Sequence, residues 1–211
     1  AARKTRDAGV ENVTYMQADI LALANWERRF DIIESVGVLH HMADPMAGWR
    51  ILETLLKPGG FMRIGLYSAR ARIKISEARA EIARRGLASD ADSIRAFRSE
   101  ILSTGRAHPL WALSEATDFY SRSACRDLVF HAQEHQFTLP EIAENLDELG
   151  LNLLGFEFPT PWQHARFRER HGDDASLRDI TRWDAFEQEH PGAFAGMYVF
   201  WLQKPATGDK V

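Results

Sequence analysis

Two adjacent histidines, His40 and His41, are the side chains in this sequence best suited to moving a proton. The pKa of imidazole lies close to neutrality, so the neutral ring is a suitable general base at physiological pH. The preceding segment, Phe30–Val36, is short and largely apolar, as expected of a parallel strand covered on both faces. Ligands of open α/β sheets bind beyond the carboxyl ends of the strands, which places Gly37, His40 and His41 where a cofactor and a substrate would meet.

A helix and a second strand are predicted after the histidines. Asp44 is a suitable N-cap, and Pro45 falls at the first helical position, where its missing N–H costs nothing. Gly59 and Gly60 are expected to stop the helix, and the apolar segment Phe61–Ser68 predicts the next strand. This order predicts a right-handed β-α-β unit that brings both carboxyl ends to one edge of the sheet.

The segment His131-Ala132-Gln133-Glu134-His135 is a second candidate for chemistry, because it matches the H-x-x-E-H pattern of some zinc peptidases. On a helix, His131 and His135 would share a face and could bind one metal ion. No third ligand is evident in the sequence, and Thr138 begins a new element shortly afterwards. A zinc-dependent hydrolase using His131, Glu134 and His135 is therefore an alternative function.

Composition narrows the functional classes. A chain of 211 residues with 45% hydrophobic residues can form one domain, or one domain with an inserted lobe. A formal net charge of −4 argues against nucleic acid as the main partner, because phosphate binding requires a clustered basic surface. Cys125 is the single cysteine, which excludes an intrachain disulfide and fits a reducing cytoplasm. No apolar run is long enough to predict a membrane span.

The segment 69–136 is predicted to form a helical lobe inserted after the second strand. Arg70–Arg85 and Ser89–Ser103 have the pattern of charged amphipathic helices, and Ser89 with Asp92 resembles a capping box. A lobe in this position can cover a bound substrate and exclude water, or it can simply cover the sheet.

The remainder of the chain predicts further helices and strands. Thr138 and Glu141 have capping-box spacing at the start of a helix that Gly150 would end. The other predicted elements are strands at Leu153–Phe158 and Met197–Gln203 and a polar helix at Ala175–Glu189.

Several segments resemble class I S-adenosylmethionine-dependent methyltransferases. VGVLHHMADP followed by LLKPGGFMRIGLYS resembles the region from the family's fourth strand through its fifth. Residues 12–20 resemble the third strand with the acidic residue after it, and residues 198–205 resemble the last strand. FYSRSACRDLVFHAQEHQFTLPEI resembles a bacterial subgroup that is often fused to tetratricopeptide repeats. The likeness spans nearly the whole chain.

This resemblance implies an α/β fold with a Rossmann-like sheet, S-adenosylmethionine as cofactor, and methyl transfer to an unidentified small or macromolecular acceptor. His40 or His41 would take the acceptor's proton, with His40 favoured near the cofactor. Asp19 would contact the adenine, and Ser35 to Gly37 would contact the methionine end. The cofactor-binding residues implied in full are Ala18, Asp19, Ile20, Ser35, Val36 and Gly37. The substrate-binding residues implied are Tyr120, Arg126, His131 and His135.

The sequence also departs from the family pattern at its amino end. The family's first two strands and Gly-rich loop have no counterpart, and no Gly-x-Gly occurs. The opening residues are typical of the end of a helix with Gly9 as its C-cap. We therefore expect a sheet truncated at its amino end and a fragment of a longer protein. The third strand, Val13–Ala18, would lack its neighbour and could associate with another chain.

These expectations define the domain organisation. A partial cofactor-binding core would occupy 1–68, the helical lobe 69–136, the last helix and strands of the core 137–205, and a tail 206–211. A non-catalytic remnant of the methyltransferase fold is a further alternative, because the cofactor loop is missing. A nicotinamide oxidoreductase is disfavoured, since its phosphate-binding loop is also missing.

Overall fold

The computed structural model describes residues 2–130, 134–172 and 175–206. The strands are β1 (Phe30–Val36), β2 (Leu56–Tyr67), β3 (Asn152–Glu157) and β4 (Met197–Gln203). The helices are α1 (Ala2–Asp7), α2 (Pro45–Leu55), α3 (Ile73–Arg85), α4 (Ala91–Thr104), α5 (Arg122–Val129), α6 (Leu139–Leu149), α7 (Trp162–His171) and α8 (Ile180–Glu189). Every helix in the described ranges is too short or too polar to span a membrane.

The four strands form one mixed sheet with the order β1-β2-β4-β3. β1 pairs in parallel with β2, whereas β4 runs antiparallel to both β2 and β3. The α/β fold class and the strand-helix-strand unit are therefore confirmed. Tyr67, the last residue of β2, is opposite Met197, the first residue of β4, and Val36, the last residue of β1, pairs with Gly65 of β2. Three strands therefore contribute residues to one edge of the sheet.

The amino-terminal segment does not join this sheet. The predicted strand at Val13–Ala18 does not form, and Tyr15 and Met16 are 50% and 57% exposed. β1 is consequently an edge strand, and Ile32 within it is 60% exposed. A strand cannot persist without a hydrogen-bonding neighbour, which explains the difference. Association of this segment with another chain stays a prediction.

Most of the predicted helix boundaries are confirmed, because local side chains satisfy the free backbone N–H groups. Asp44 accepts a hydrogen bond from Ala47 N at the start of α2. Thr138 and Glu141 form the complete capping box of α6. The cap of α4 differs from the prediction, since Asp90 rather than Ser89 accepts from the first free N–H groups.

Two other expectations need correction. The Lys57–Gly60 turn is part of β2 rather than a break before it, and the register with β1 shifts between Phe30 and Ile32. The predicted helix Ala175–Glu189 is interrupted, because Asp179 caps a new helix, α8, that begins at Ile180. α7 was not predicted, since its polar sequence buries only Gln163 and Phe167.

Two hydrophobic clusters lie in different parts of the chain. The larger one joins α2, α6 and α8 to the sheet and includes Trp49, Trp183 and Phe200, all of which are fully buried. The smaller one lies within 69–136 and includes Phe97 and Cys125. The predicted lobe therefore has its own core, whereas its role above the substrate stays a proposal.

Gly60→Ala is expected to lower the free energy of unfolding by about 1–3 kcal/mol. A Cβ at this position would lie 2.8 Å from the Lys57 carbonyl oxygen and 2.9 Å from the Asp31 carbonyl oxygen, and backbone atoms cannot move aside cheaply. Denaturant unfolding measures the effect. Gly192→Ala is the matched control, because its Cβ would meet no atom within 4 Å. Equal stability of the two variants would contradict the close packing at Gly60.

Candidate active site

A cavity of about 690 Å³ opens where β2 ends and β4 begins. His41, in the turn after β1, and Tyr67, at the end of β2, line it from the sheet. The other lining residues are Arg72, Asp118, Ala124, Asp127, Leu128, Ala195, Gly196 and Met197. The cavity therefore lies between the carboxyl edge of the parallel strands and the helical lobe, which is where ligands of α/β sheets bind.

Tyr67 is held between two side chains beside this cavity. The His40 ring stacks on it with centroids 3.8 Å apart and planes 29° apart. The Arg72 guanidinium carbon lies 3.7 Å from the ring centroid. Two groups this close to one centroid must occupy opposite faces, so only the edge of the Tyr67 ring remains accessible to the cavity. His41 meets the same ring edge-on, with a centroid distance of 5.7 Å.

A buried ion pair fixes the outer side of this stack. Both oxygens of Glu134 accept hydrogen bonds of 2.9 Å from the Arg72 guanidinium, and Arg79 approaches Glu134 at 3.4 Å. The side chains of Arg72 and Glu134 are only 8% and 0% exposed. Arg72 follows β2 and Glu134 lies where the chain returns to the sheet, so the pair joins the two ends of the lobe. Bidentate geometry of this kind is both strong and directional.

The two histidines have different environments. His40 is fully buried, and neither ring nitrogen makes a hydrogen bond of good geometry in the described part of the chain, although the Gly65 backbone is close enough to raise its pKa slightly. Burial, together with the nearby His41, lowers the pKa of His40 from 6.5 to about 4. His41 lines the cavity. Of the two candidates, His41 is therefore the one positioned to take a proton from a ligand in the cavity, and His40 packs beneath it.

Two residues at the end of β1, Ser35 and Gly37, leave a polar group and space available to a ligand. Ser35 is buried, and its hydroxyl lacks a hydrogen-bond partner among the described residues. Gly37 has a φ of +75°, and a Cβ there would meet no atom within 4 Å. A buried hydroxyl without a partner is costly unless a ligand or water satisfies it. The strand end therefore has both a free polar group and open space for a ligand.

Comparison with known proteins identifies the fold. A family described as a methyltransferase domain matches residues 1–105. Residues 1–105 belong to this methyltransferase domain family. An uncharacterised protein from a Synechococcus strain is 28% identical over 198 residues, which cover 87% of this chain and 46% of that protein. The chain thus spans about half the length of the curated relative it matches.

Solved structures agree with the family assignment at the level of fold. PKMT2 from Rickettsia typhi superposes with a TM-score of 0.66 at 15% identity, covering 95% of this chain and 40% of that one. A second structure of PKMT2, in complex with AdoHcy, gives a TM-score of 0.66 at 16% identity, covering 99% of this chain and 42% of that one. The methyltransferase sheet predicted from the sequence is confirmed.

The residues predicted to contact the adenine, Ala18, Asp19 and Ile20, lie at the start of a short turn. Asp19 caps the turn Ile20–Leu23, with one carboxylate oxygen accepting from Leu21 N at 2.9 Å. Its second oxygen has no partner within the described ranges. Ala18 is exposed, and Ile20 packs against the larger core. The roles predicted for these three residues, and for Val36 beside Gly37, stay predictions.

Among the described residues predicted for the acceptor, Tyr120, Arg126 and His135 do not line this cavity. Tyr120 donates a hydrogen bond to the Ser114 carbonyl oxygen and does not line the cavity. Arg126 lines a different cavity, together with Arg122. The backbone N–H of His135 donates to the carbonyl oxygen of His40 at 2.8 Å, and His131 lies outside the described residues.

The zinc-hydrolase alternative receives no support from this geometry. α5 ends at Val129, and Glu134 and His135 lie in a non-helical segment, so the helical face that the motif requires is missing at these two residues. Two arginines already bind the carboxylate of Glu134. No group of three potential metal ligands occurs among the described residues.

Sequence reasoning missed the four polar residues other than His41 that line the cavity, namely Tyr67, Arg72, Asp118 and Asp127. Tyr67 could have been found, because it lies one residue before the end of the second predicted strand, Phe61–Ser68, at the edge already assigned to ligands. Arg72, Asp118 and Asp127 carried no such signal. Their positions depend on how the lobe folds back over the sheet, and this is a tertiary property.

The stability of the chain is expected to fall by up to about 3 kcal/mol as the pH decreases from about 6.5 to about 4, owing to His40. Its pKa is lowered on folding, so the unfolded chain takes up a proton that the native state resists. This stabilisation is fully present above pH 6.5, the pKa of His40 in the unfolded chain. It is lost as the pH falls towards about 4, the pKa of His40 in the folded protein. Unfolding at several pH values measures it, and His40→Gln should show a shallower decline. His40 ring signals that titrate near 6.5 in the folded protein would contradict the assignment.

Proposed function

We propose that the full-length protein is an S-adenosylmethionine-dependent methyltransferase and that the cavity lined by His41 and Tyr67 receives the methyl acceptor. The observation that carries this proposal is a juxtaposition. The partnerless hydroxyl of Ser35 and the open backbone of Gly37 end β1, and the turn that follows delivers His41 to the cavity.

The residues present fit one side of the cofactor. Ser35 and Gly37 would hold the methionine end, and the second oxygen of Asp19 would accept from the adenine amino group. When bound, S-adenosylmethionine supplies an electrophilic methyl group attached to a positively charged sulfur. The complex of the related PKMT2 fold with AdoHcy supports this choice of cofactor.

The chain's own contribution is positioning and proton removal. Walls from the sheet and from the lobe enclose the acceptor on several sides, and alignment of two reactants can supply about 7 kcal/mol or more. His41, which lines the cavity, would accept the proton that the acceptor loses. A base in this position contributes on the order of 10²–10⁴ to the rate.

Titration calorimetry of the full-length protein with S-adenosylhomocysteine tests the cofactor assignment. We expect binding by the wild-type protein and none by Gly37→Val, because the valine would fill the space beside β1. Gly172→Val is the matched control, since Gly172 has nearly the same φ, +77° against +75°, and lies at the end of α7. This control should bind like the wild type.

Absence of binding by the wild-type protein would contradict the proposal and favour a non-catalytic remnant of the fold. The cytoplasmic location and the resemblance to a subgroup often fused to tetratricopeptide repeats are not needed for this test and stay predictions from the sequence.

A further inference from the structure

The hydroxyl group of Tyr67 has no role in the methyl transfer proposed above. Tyr67 lines the cavity, yet the structure gives this hydroxyl no hydrogen-bond partner among residues 2–130, 134–172 and 175–206. Stacking with His40 and Arg72 covers both faces of the ring, so its edge is what faces the cavity. A phenol held this firmly is pre-organised to bind a ligand, because little side-chain entropy remains to be lost.

The Arg72–Glu134 pair is what makes the clamp rigid. Arg72 lies 3.7 Å from the ring centroid and is itself fixed by two hydrogen bonds of 2.9 Å to Glu134. Two of the Arg72 donors are taken up by the buried carboxylate of Glu134, which Arg79 also approaches at 3.4 Å, so these three groups together carry one net positive charge. The guanidinium therefore supports the tyrosine rather than binding in the cavity.

The remaining charges in the cavity are negative. Asp118 and Asp127 line it from the lobe, and neither has a hydrogen bond or an ion pair within the described part of the chain. With Arg72, Arg79 and Glu134 counted as well, Asp118 and Asp127 leave this region with a net charge of −1, which favours a positively charged ligand over a neutral or negative one. Leu128 and Met197 add apolar walls that could contact an alkyl stem.

We propose that Tyr67 contacts the methyl acceptor through its hydroxyl group and that the acceptor is an amine on an aliphatic stem. The inference rests on the proposed function and names its substrate class. The phenol oxygen accepts a hydrogen bond from an ammonium group, and the phenol O–H donates to a neutral amine, so the contact survives a change in the protonation of the amine. Asp118 and Asp127 attract the cation to the cavity.

NMR titration of the full-length protein with n-butylamine, n-butanol and butyrate tests the substrate class without any cofactor. The three probes share a four-carbon size and differ in charge. We expect n-butylamine to bind most tightly and to shift the Tyr67 ring signals. Equal or tighter binding of the alcohol or the carboxylate would overturn the amine assignment.

Two variants test the contacts. Tyr67→Phe keeps the clamped ring and should weaken n-butylamine binding by about 3- to 10-fold, the loss expected for one hydrogen bond. The double variant Asp118→Asn with Asp127→Asn should weaken n-butylamine binding as well. Both residues are exposed, so we expect this variant to keep the fold. Tyr15→Phe is the matched control, since Tyr15 is half exposed and does not line the cavity.

Unchanged n-butylamine affinity in Tyr67→Phe would overturn the role of the hydroxyl group. The test is separable from that of the proposed function, because S-adenosylhomocysteine binding is measured independently. Cofactor binding that persists in Tyr67→Phe while amine binding weakens is the expected combination. Cofactor binding by a protein that takes up no amine would refute this inference and leave the proposed function intact.

Discussion

Glu134→Gln is expected to lower the free energy of unfolding by about 3–5 kcal/mol, because removal of one partner leaves a buried charge unmatched. Glu134 is fully buried and holds both Arg72 and Arg79, which are 8% and 19% exposed. Glutamine preserves the shape and one acceptor oxygen but removes the negative charge. Urea unfolding followed by tryptophan fluorescence measures the change.

Glu169→Gln is the control for this prediction. Its partner is Arg166 on the same helix, and both side chains are about two-thirds exposed. Exposed pairs contribute about 0–1 kcal/mol, so this variant should be close to wild type. The double variant Arg72→Met with Glu134→Met should recover part of the lost stability, because it removes the charges of Arg72 and Glu134 together and leaves only that of Arg79, which is 19% exposed. A Glu134→Gln protein as stable as Glu169→Gln would show that the buried pair does not hold the lobe.

His41→Asn is expected to reduce kcat by about 10²–10⁴ if the proposed chemistry is correct, since the variant lacks a base for the acceptor's proton. The measurement is transfer of a labelled methyl group from S-adenosylmethionine to amine, hydroxyl and carboxylate acceptors by the full-length protein. Affinity for S-adenosylhomocysteine should stay unchanged, which separates loss of the base from loss of the cofactor site.

His190→Asn is the matched substitution outside the cavity. His190 follows α8 and contacts Trp162 and Phe186, so its replacement should leave kcat close to the wild-type value. Wild-type turnover by His41→Asn would remove His41 from the role of base. If His40→Asn alone abolished turnover in a folded protein, the preference for His40 suggested by the family resemblance would be restored.

The edge strand illustrates how far local sequence can predict structure. β1 forms at Phe30–Val36 as predicted, because its apolar residues pack on one face and its hydrogen bonds are satisfied by β2. Val13–Ala18 has comparable β propensity but remains outside the sheet. Strand formation depends on a neighbour supplied from elsewhere, so propensity by itself could not decide between these two segments.

The candidate site likewise combines features that local sequence predicts with features that depend on tertiary contacts. The sequence by itself determined the α/β class, the caps of α2 and α6, and the place of the histidine pair beyond β1, since each depends on periodicity or on residues a few positions apart. Only the tertiary structure decided which histidine faces the cavity and which is buried. It also brought Arg72 and Glu134, which are 62 positions apart, onto one side of Tyr67. Contacts of this kind depend on long-range packing and charge compensation, for which no local pattern in the chain is a guide.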